Sequence, residues 1–265
     1  MDLSHIKMVV TDMDGTLLNS KHEVSSRFFE LFKLLRSQNI LFVAASGRQY
    51  DSIVQKLDPI KNEILVIAEN GALVKEKEKE LLVTPIQYHL KSSLLSKIEN
   101  IEGAHAMLCG KYNAYLDGKS APFLEQLKEY YASYEIHDNF NTVTDEIIKI
   151  AVYHNVSAET YIYPAMKDLE GQIKVKVSGL NWVDLNHRDA NKGFALEKMQ
   201  ERYGISPEET MVFGDYNNDL EMLGKAKYSF AMQNAHPNVL EVANYKTTSN
   251  DDFGVERILE KLIKR

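Results

Sequence analysis

Two aspartates one residue apart, Asp12 and Asp14, stand at the end of the run Met8-Val9-Val10-Thr11 and are followed at once by Gly15 and Thr16. The pattern predicts a buried strand that stops abruptly in a polar turn. Carboxylates this close repel each other, so the pair must share a proton or a cation, and at neutral pH an oxygen-seeking ion such as Mg²⁺ suits the place. In an open parallel sheet the ligand crevice lies beyond the carboxyl ends of the strands, where these acids would sit. Taken alone, the stretch also reads as a surface Asp-Gly turn.

Three further strand ends carry groups of complementary chemistry. Ile40–Ala45 reads as a buried strand that ends in Ser46-Gly47-Arg48, ahead of a helix near 49–57. A hydroxyl, a glycine that admits close backbone approach and the free N–H groups of a helix start make an anion site, although Ser-Gly alone is also a common loop. Ile64–Ala68 ends at Glu69-Asn70-Gly71, Asn191-Lys192-Gly193 opens a helix running to about Tyr203, and Met211–Phe213 delivers Gly214-Asp215-Tyr216-Asn217-Asn218-Asp219. Singly, Lys192 reads as a solvated residue and Asp215 as a helix cap. Together the strand ends supply what phosphoryl transfer needs: a nucleophile, a proton donor, a hydroxyl and a cation for the equatorial oxygens, and carboxylates for Mg²⁺.

The elements that must position these groups alternate. Val24, Phe28, Leu31, Phe32 and Leu35 recur at helical spacing over about 24–38, between the first two strands. Strand, helix, strand, helix, strand predicts an α/β fold with a doubly wound parallel sheet, a Rossmann-like core. Lys75-Glu76-Lys77-Glu78-Lys79-Glu80 alternates in sign and reads as a solvated hairpin. From 85 to 186 the character shifts: helices near 86–100, 119–132 and 157–169 mix with strands at 147–153 and 173–177, an inserted α+β domain. Its tyrosines (Tyr112, Tyr115, Tyr130, Tyr131, Tyr134, Tyr153, Tyr161, Tyr163) could form a substrate face, but are expected to pack against its sheet. The core is therefore expected to be discontinuous, 1–84 with 187–265, closing with a helix at about 217–223, a strand at 228–232 and two helices.

Composition narrows the partners. Hydrophobic residues make up 44% and charged residues 26%, as in an ordinary globular protein. The net charge of −7 argues against a general affinity for nucleic acid or anionic membrane, since both rest on clustered Lys and Arg. One cysteine, Cys109, forms no internal disulfide, and neither a signal peptide nor a stretch of membrane-spanning length is evident. A cytoplasmic protein, a monomer or weak homodimer, is the expectation.

The four motifs in this order resemble the haloacid dehalogenase superfamily, most closely its Cof-type phosphatases, whose large α/β cap is inserted between the second and third motifs as 85–186 is here. Asn70-Gly71-Ala72, the stretch Phe230–Pro237 and Ser249–Val255 are also similar to that group, while Arg188-Asp189-Ala190-Asn191 departs from its usual glycine-valine-serine turn. The resemblance implies that Asp12 attacks phosphorus to form an aspartyl phosphate and that Asp14 is acid and base, a role favoured by a raised pKa. It implies that Mg²⁺ is held by Asp12, the Asp14 carbonyl and Asp215, with Asp219 in support. It also places Ser46, Lys192 and the backbone N–H groups of Met13 and Gly47 on the phosphoryl group, and Arg48, Asn70 and Asn218 at the substrate entrance. The implied activity is a Mg²⁺-dependent phosphatase of small phosphorylated metabolites, sugar phosphates foremost. A phosphomutase with Lys174 and Lys176 as a second phosphate grip, and a catalytically silent binding protein, are the alternatives.

Overall fold

The strand bearing the aspartate pair, β1 (Met8–Asp12), is buried at all five positions in the computed structural model of the chain, which describes residues 2–118, 123–124 and 134–264. It is followed by α1 (Ser26–Ser37), β2 (Leu41–Ala45), α2 (Tyr50–Lys56), β3 (Leu65–Ala68), β4 (Leu73–Glu76) and β5 (Lys79–Val83). Next come α3 (Tyr88–Glu99), β6 (Ala104–Gly110), β7 (Ala114–Leu116), β8 (Glu135–Ile136), β9 (Ile147–His154), α4 (Ala158–Tyr161), α5 (Tyr163–Met166), β10 (Ile173–Gly179) and β11 (Trp182–His187). The chain closes with α6 (Lys192–Tyr203), β12 (Thr210–Gly214), α7 (Leu220–Leu223), β13 (Tyr228–Ala231), α8 (Pro237–Val242), β14 (Tyr245–Lys246) and α9 (Gly254–Ile263). Two units result, one of Met1–Leu82 with Asn191–Arg265 and one of Val83–Ala190.

The first unit is built on the sheet β14-β13-β12-β1-β2-β3-β4-β5, parallel from β14 to β3. The reversal at β4, antiparallel to β3, follows from a connection of only four residues, too short for the crossover a parallel pair requires. Register places the motifs: Thr11 pairs with Phe213, Asp12 with Ala45, and Ala45 with Ile67. Asp12, Ser46, Ala68 and Gly214 thus leave the sheet along one edge, the carboxyl ends of its parallel strands.

Apolar spacing explains why α1 lies where it does. Ser25 caps it by accepting from the Phe28 N–H, and Phe28, Leu31, Phe32 and Leu35 form its buried face. Phe28 and Phe32 meet Phe42 of β2 with ring centroids 5.1 and 5.8 Å apart. Burial of each such ring stabilises the fold by about 1.5–3 kcal/mol.

The second unit has the sheet β10-β11-β9-β6-β7-β8, antiparallel except where β7 meets β8. Alternation divides its strands between two apolar clusters. Leu108, Ile150, Val152, Val183 and Leu185 join Leu94, Leu95 and Ile98 of α3, while Met107, Cys109, Ala151 and Tyr153 join Phe123 and Trp182.

Two expectations for this segment are revised and a third falls on residues that are not described. The helix expected over 157–169 is broken into α4, α5 and a short 3₁₀ turn, because Pro164 lacks the N–H that would continue it. Tyr115 and Tyr153 are buried, but Tyr112 and Tyr161 are 72% and 48% exposed. Tyr112 sits in the turn between β6 and β7 beneath Lys111, and Tyr161 stacks on His154. The helix expected at 119–132, with Tyr130 and Tyr131, lies outside the described residues apart from Phe123 and Leu124. Among the described residues, no helix is long and apolar enough to cross a membrane.

Candidate active site

β1 delivers Asp12 into a site where it is only 5% exposed. The turn after it is tight: Thr16 N–H and Leu18 N–H both donate to the Met13 carbonyl, and Leu17 N–H donates to that of Asp12. Gly15 makes this possible, since it adopts φ of +77° and a Cβ there would stand 2.3 Å from Asp215 Oδ2. Thr16 then reaches across, its hydroxyl donating to Asp215 Oδ1 at 2.8 Å.

Lys192, at the first position of α6, is completely buried. Asn191 caps that helix, its Oδ1 accepting from Phe194 N–H, and so fixes the point at which the lysine leaves the backbone. The ammonium donates to Asp12 Oδ1 at 2.5 Å and to Asp219 Oδ1 at 2.7 Å. The other oxygen of Asp219 accepts from the backbone N–H groups of Asp215 and Tyr216, at 3.0 and 3.2 Å. Asp219 therefore holds the loop that presents Asp215 and anchors Lys192 at the same time.

One carboxylate oxygen each from Asp12, Asp215 and Asp219 lies within 4.8 Å of the others. Three carboxylates face one ammonium. Burial, together with the other carboxylates, pushes Asp12 well above the usual range and Asp215 up to about 6. Burial would lower Lys192, but Asp12 and Asp219 outweigh it and keep the ammonium protonated. An all-oxygen, desolvated and net-negative donor set fits a hard divalent cation.

Asp14 has different surroundings. Arg48 grips it at both oxygens, Nε to Oδ2 and Nη2 to Oδ1, each at 2.6 Å. His22 Nδ1 lies 3.3 Å from Oδ1. Burial acts to raise the Asp14 pKa, but Arg48 first and His22 second outweigh it, and the carboxyl is held below its usual value. The raised pKa expected of an acid and base is thus reversed in this arrangement, because a bidentate guanidinium favours the ionised form.

Of the remaining sequence candidates, Ser46 is buried and its Oγ accepts from the Arg48 N–H at 3.1 Å. Met13, which follows Asp12, is buried, and Gly47 lies against the Asn70 amide, 3.1 Å from a would-be Cβ. Asn218 Nδ2 donates to Asn70 Oδ1 at 3.0 Å. His22 and the Thr16 hydroxyl are the contacts that sequence reasoning missed. Thr16 stood inside the recognised motif, whereas nothing in the sequence marks His22, whose approach depends on a left-handed backbone with φ of 57°.

Residues 9–259 match the haloacid dehalogenase-like hydrolase family, and the chain belongs to it. Within that family it is a phosphatase of the Cof type. It is 32% identical over 262 residues to the 5-amino-6-(5-phospho-D-ribitylamino)uracil phosphatase YbjI of Escherichia coli (strain K12), covering 98% of this chain and 97% of that one. It is 28% identical to the phosphoglycolate phosphatase of Staphylothermus marinus, covering 98% and 99%. The solved structure of SMU.1108c from Streptococcus mutans UA159 is similar at a TM-score of 0.86 and 30% identity, over 98% of this chain and all of that one.

Proposed function

We propose that the protein hydrolyses small phosphorylated metabolites, sugar phosphates foremost, through a covalent phosphoenzyme on Asp12. The observation that carries the reading is the meeting of buried Asp12, Lys192 and Asp219 with half-buried Asp215 at one sheet edge. Relatives named for phosphates of a ribityl compound and of glycolate support the substrate class, since both are small monoesters.

In this reading the carboxylate of Asp12 attacks phosphorus and the P–O bond to the leaving alcohol breaks. Lys192 and Ser46, with the N–H groups of Met13 and Gly47, hold the phosphoryl oxygens and neutralise the charge that builds on them. Asp14 gives its proton to the leaving oxygen and then takes one from the water that cleaves the phosphoenzyme. To act as acid, Asp14 must exchange its Arg48 partner for a proton, and an arriving anionic substrate that competes for the guanidinium provides the occasion. Asp12, the Asp14 carbonyl and Asp215 would hold Mg²⁺, which when bound screens the approach of an anionic nucleophile to an anionic phosphate. Asp219 supports from behind through Lys192 and the Asp215 N–H. The segment 85–186 would act as the cap that selects the leaving group, on a catalytic core of 1–84 and 187–265.

Phosphate release from a metabolite panel with Mg²⁺, by wild type and by Asp12→Asn, tests this. The reading expects release by the wild type and a loss of at least about a thousandfold in the variant. Retention of more than about a tenth of the rate would remove Asp12 from the role of nucleophile.

A further inference from the structure

The three residues after β3 carry a conformation that side chains rarely adopt. Glu69, Asn70 and Gly71 have φ of 49°, 55° and 97°, three left-handed residues in succession, of which only the last is a glycine. Strain of this kind persists where the surroundings enforce it, and the surroundings here are the other catalytic loops. Glu69 N–H donates to the Arg48 carbonyl at 3.0 Å and Asn70 N–H donates to the Ser46 carbonyl at 2.9 Å. The turn thereby clamps the loop Ser46-Gly47-Arg48 at both ends.

A trans peptide points its C=O and N–H in opposite directions. Fixing the Ser46 carbonyl on Asn70 therefore aims the Gly47 N–H away from the turn. The side chain of Asn70 closes the arrangement, lying against Gly47 while its Oδ1 accepts from Asn218 Nδ2 at 3.0 Å. Gly71 completes it, since a Cβ there would stand 2.3 Å from the Asn191 carbonyl, the residue that caps the helix of Lys192. One turn thus touches the loop after β2, the loop after β12 and the start of α6.

We propose that Asn70 is a positioning residue for phosphoryl transfer, holding the Gly47 N–H and the Asn218 loop in the geometry the transition state requires, rather than a contact to the substrate's leaving group. The proposal rests on the phosphatase reading above. Its distinguishing consequence is that Asn70 and Asn218 act as one unit.

The test uses Asn70→Gly, Asn218→Ala and the double variant, with p-nitrophenyl phosphate and two sugar phosphates as substrates. Glycine accepts the left-handed backbone and keeps the N–H to Ser46, so only the side chain is removed. Each single variant is expected to lower kcat about tenfold or more, by a similar factor for every substrate and with KM little changed. The double variant is expected to lose no more than the worse single one. Losses that multiply in the double variant, or a rise in KM alone that differs between substrates, would overturn the proposal. Should Asn70→Gly fail to fold by circular dichroism, Asn218→Ala decides by the same split between kcat and KM, because it removes the donor without touching the turn. A wild type with no activity on any phosphate ester would instead refute the phosphatase reading itself.

Discussion

Lys192 Nζ lies 2.5 Å from Asp12 Oδ1, with the lysine side chain wholly buried and that of the aspartate 8% exposed. The ion pair is hidden from water, and its ammonium is shared with Asp219 at 2.7 Å. Such a pair costs desolvation on both sides, so its value to the fold is small while the cost of breaking it is large.

Lys192→Met should accordingly destabilise the metal-free protein by about 3–5 kcal/mol, because it strands Asp12 and Asp219 without a cation. Asp12→Asn should not, since Lys192 keeps Asp219 and one buried carboxylate is lost from a repelling group. Urea unfolding of both variants in chelator checks the contrast, the first losing most of the midpoint and the second matching or exceeding the wild type.

Asp215 gives a pH signature. Burial, its largest cause, pushes the folded-state pKa up to about 6, against about 3.9 for an unfolded aspartate. A raised folded value means that the stabilisation is full below about pH 4 and is lost as pH rises through about 6. In chelator, wild type should therefore gain several degrees in Tm relative to Asp215→Asn between about pH 7 and pH 5. Mg²⁺ should reverse the trend, raising the wild-type Tm more at about pH 7, where it displaces no proton. Parallel Tm profiles for the two proteins would contradict the assignment.

The donor set predicts which ion serves. With only oxygen ligands shared between protein and phosphate, Mg²⁺ should support turnover and Ca²⁺ should inhibit it, because a cation that accepts more ligands engages both oxygens of Asp12. Steady-state rates after dialysis against chelator and readdition of each ion measure this, and a rate that survives chelation would count against it.

Close backbone packing beneath the site can be probed at Gly193. A Cβ there would stand 2.6 Å from the Glu221 backbone carbon, where α6 meets α7. Gly193→Ala should cost about 1–3 kcal/mol by overpacking, despite alanine's better helix propensity. Thermal unfolding reads the sign directly.

The strand ends were legible in the sequence because a buried parallel strand shows as an unbroken apolar run, and whatever polar residue follows must leave the sheet. That logic places Asp12, Ser46, Asn70 and Asp215 at the ends of their strands, and a capping signal places Lys192 at the start of a helix. Side-chain direction is another matter. That Arg48 turns onto Asp14, and that Asp219 engages Lys192 with one oxygen and two backbone N–H groups with the other, depends on torsions no spacing rule reports. His22 arrives from a loop with no periodicity at all. Pro164 itself marks where the helix expected over 157–169 is interrupted.

The central claim, a phosphoenzyme on Asp12, is tested most directly by trapping it. Asp14→Asn with p-nitrophenyl phosphate should accumulate the intermediate, since that leaving group departs without a proton while the water that ends the cycle loses its base. Acid quenching followed by borohydride reduction converts an aspartyl phosphate to homoserine with release of phosphate, and peptide mass spectrometry locates it. The account predicts homoserine at position 12, dependent on Mg²⁺. An unmodified Asp12 in a sample that has released p-nitrophenol, or homoserine at any other aspartate, would contradict it.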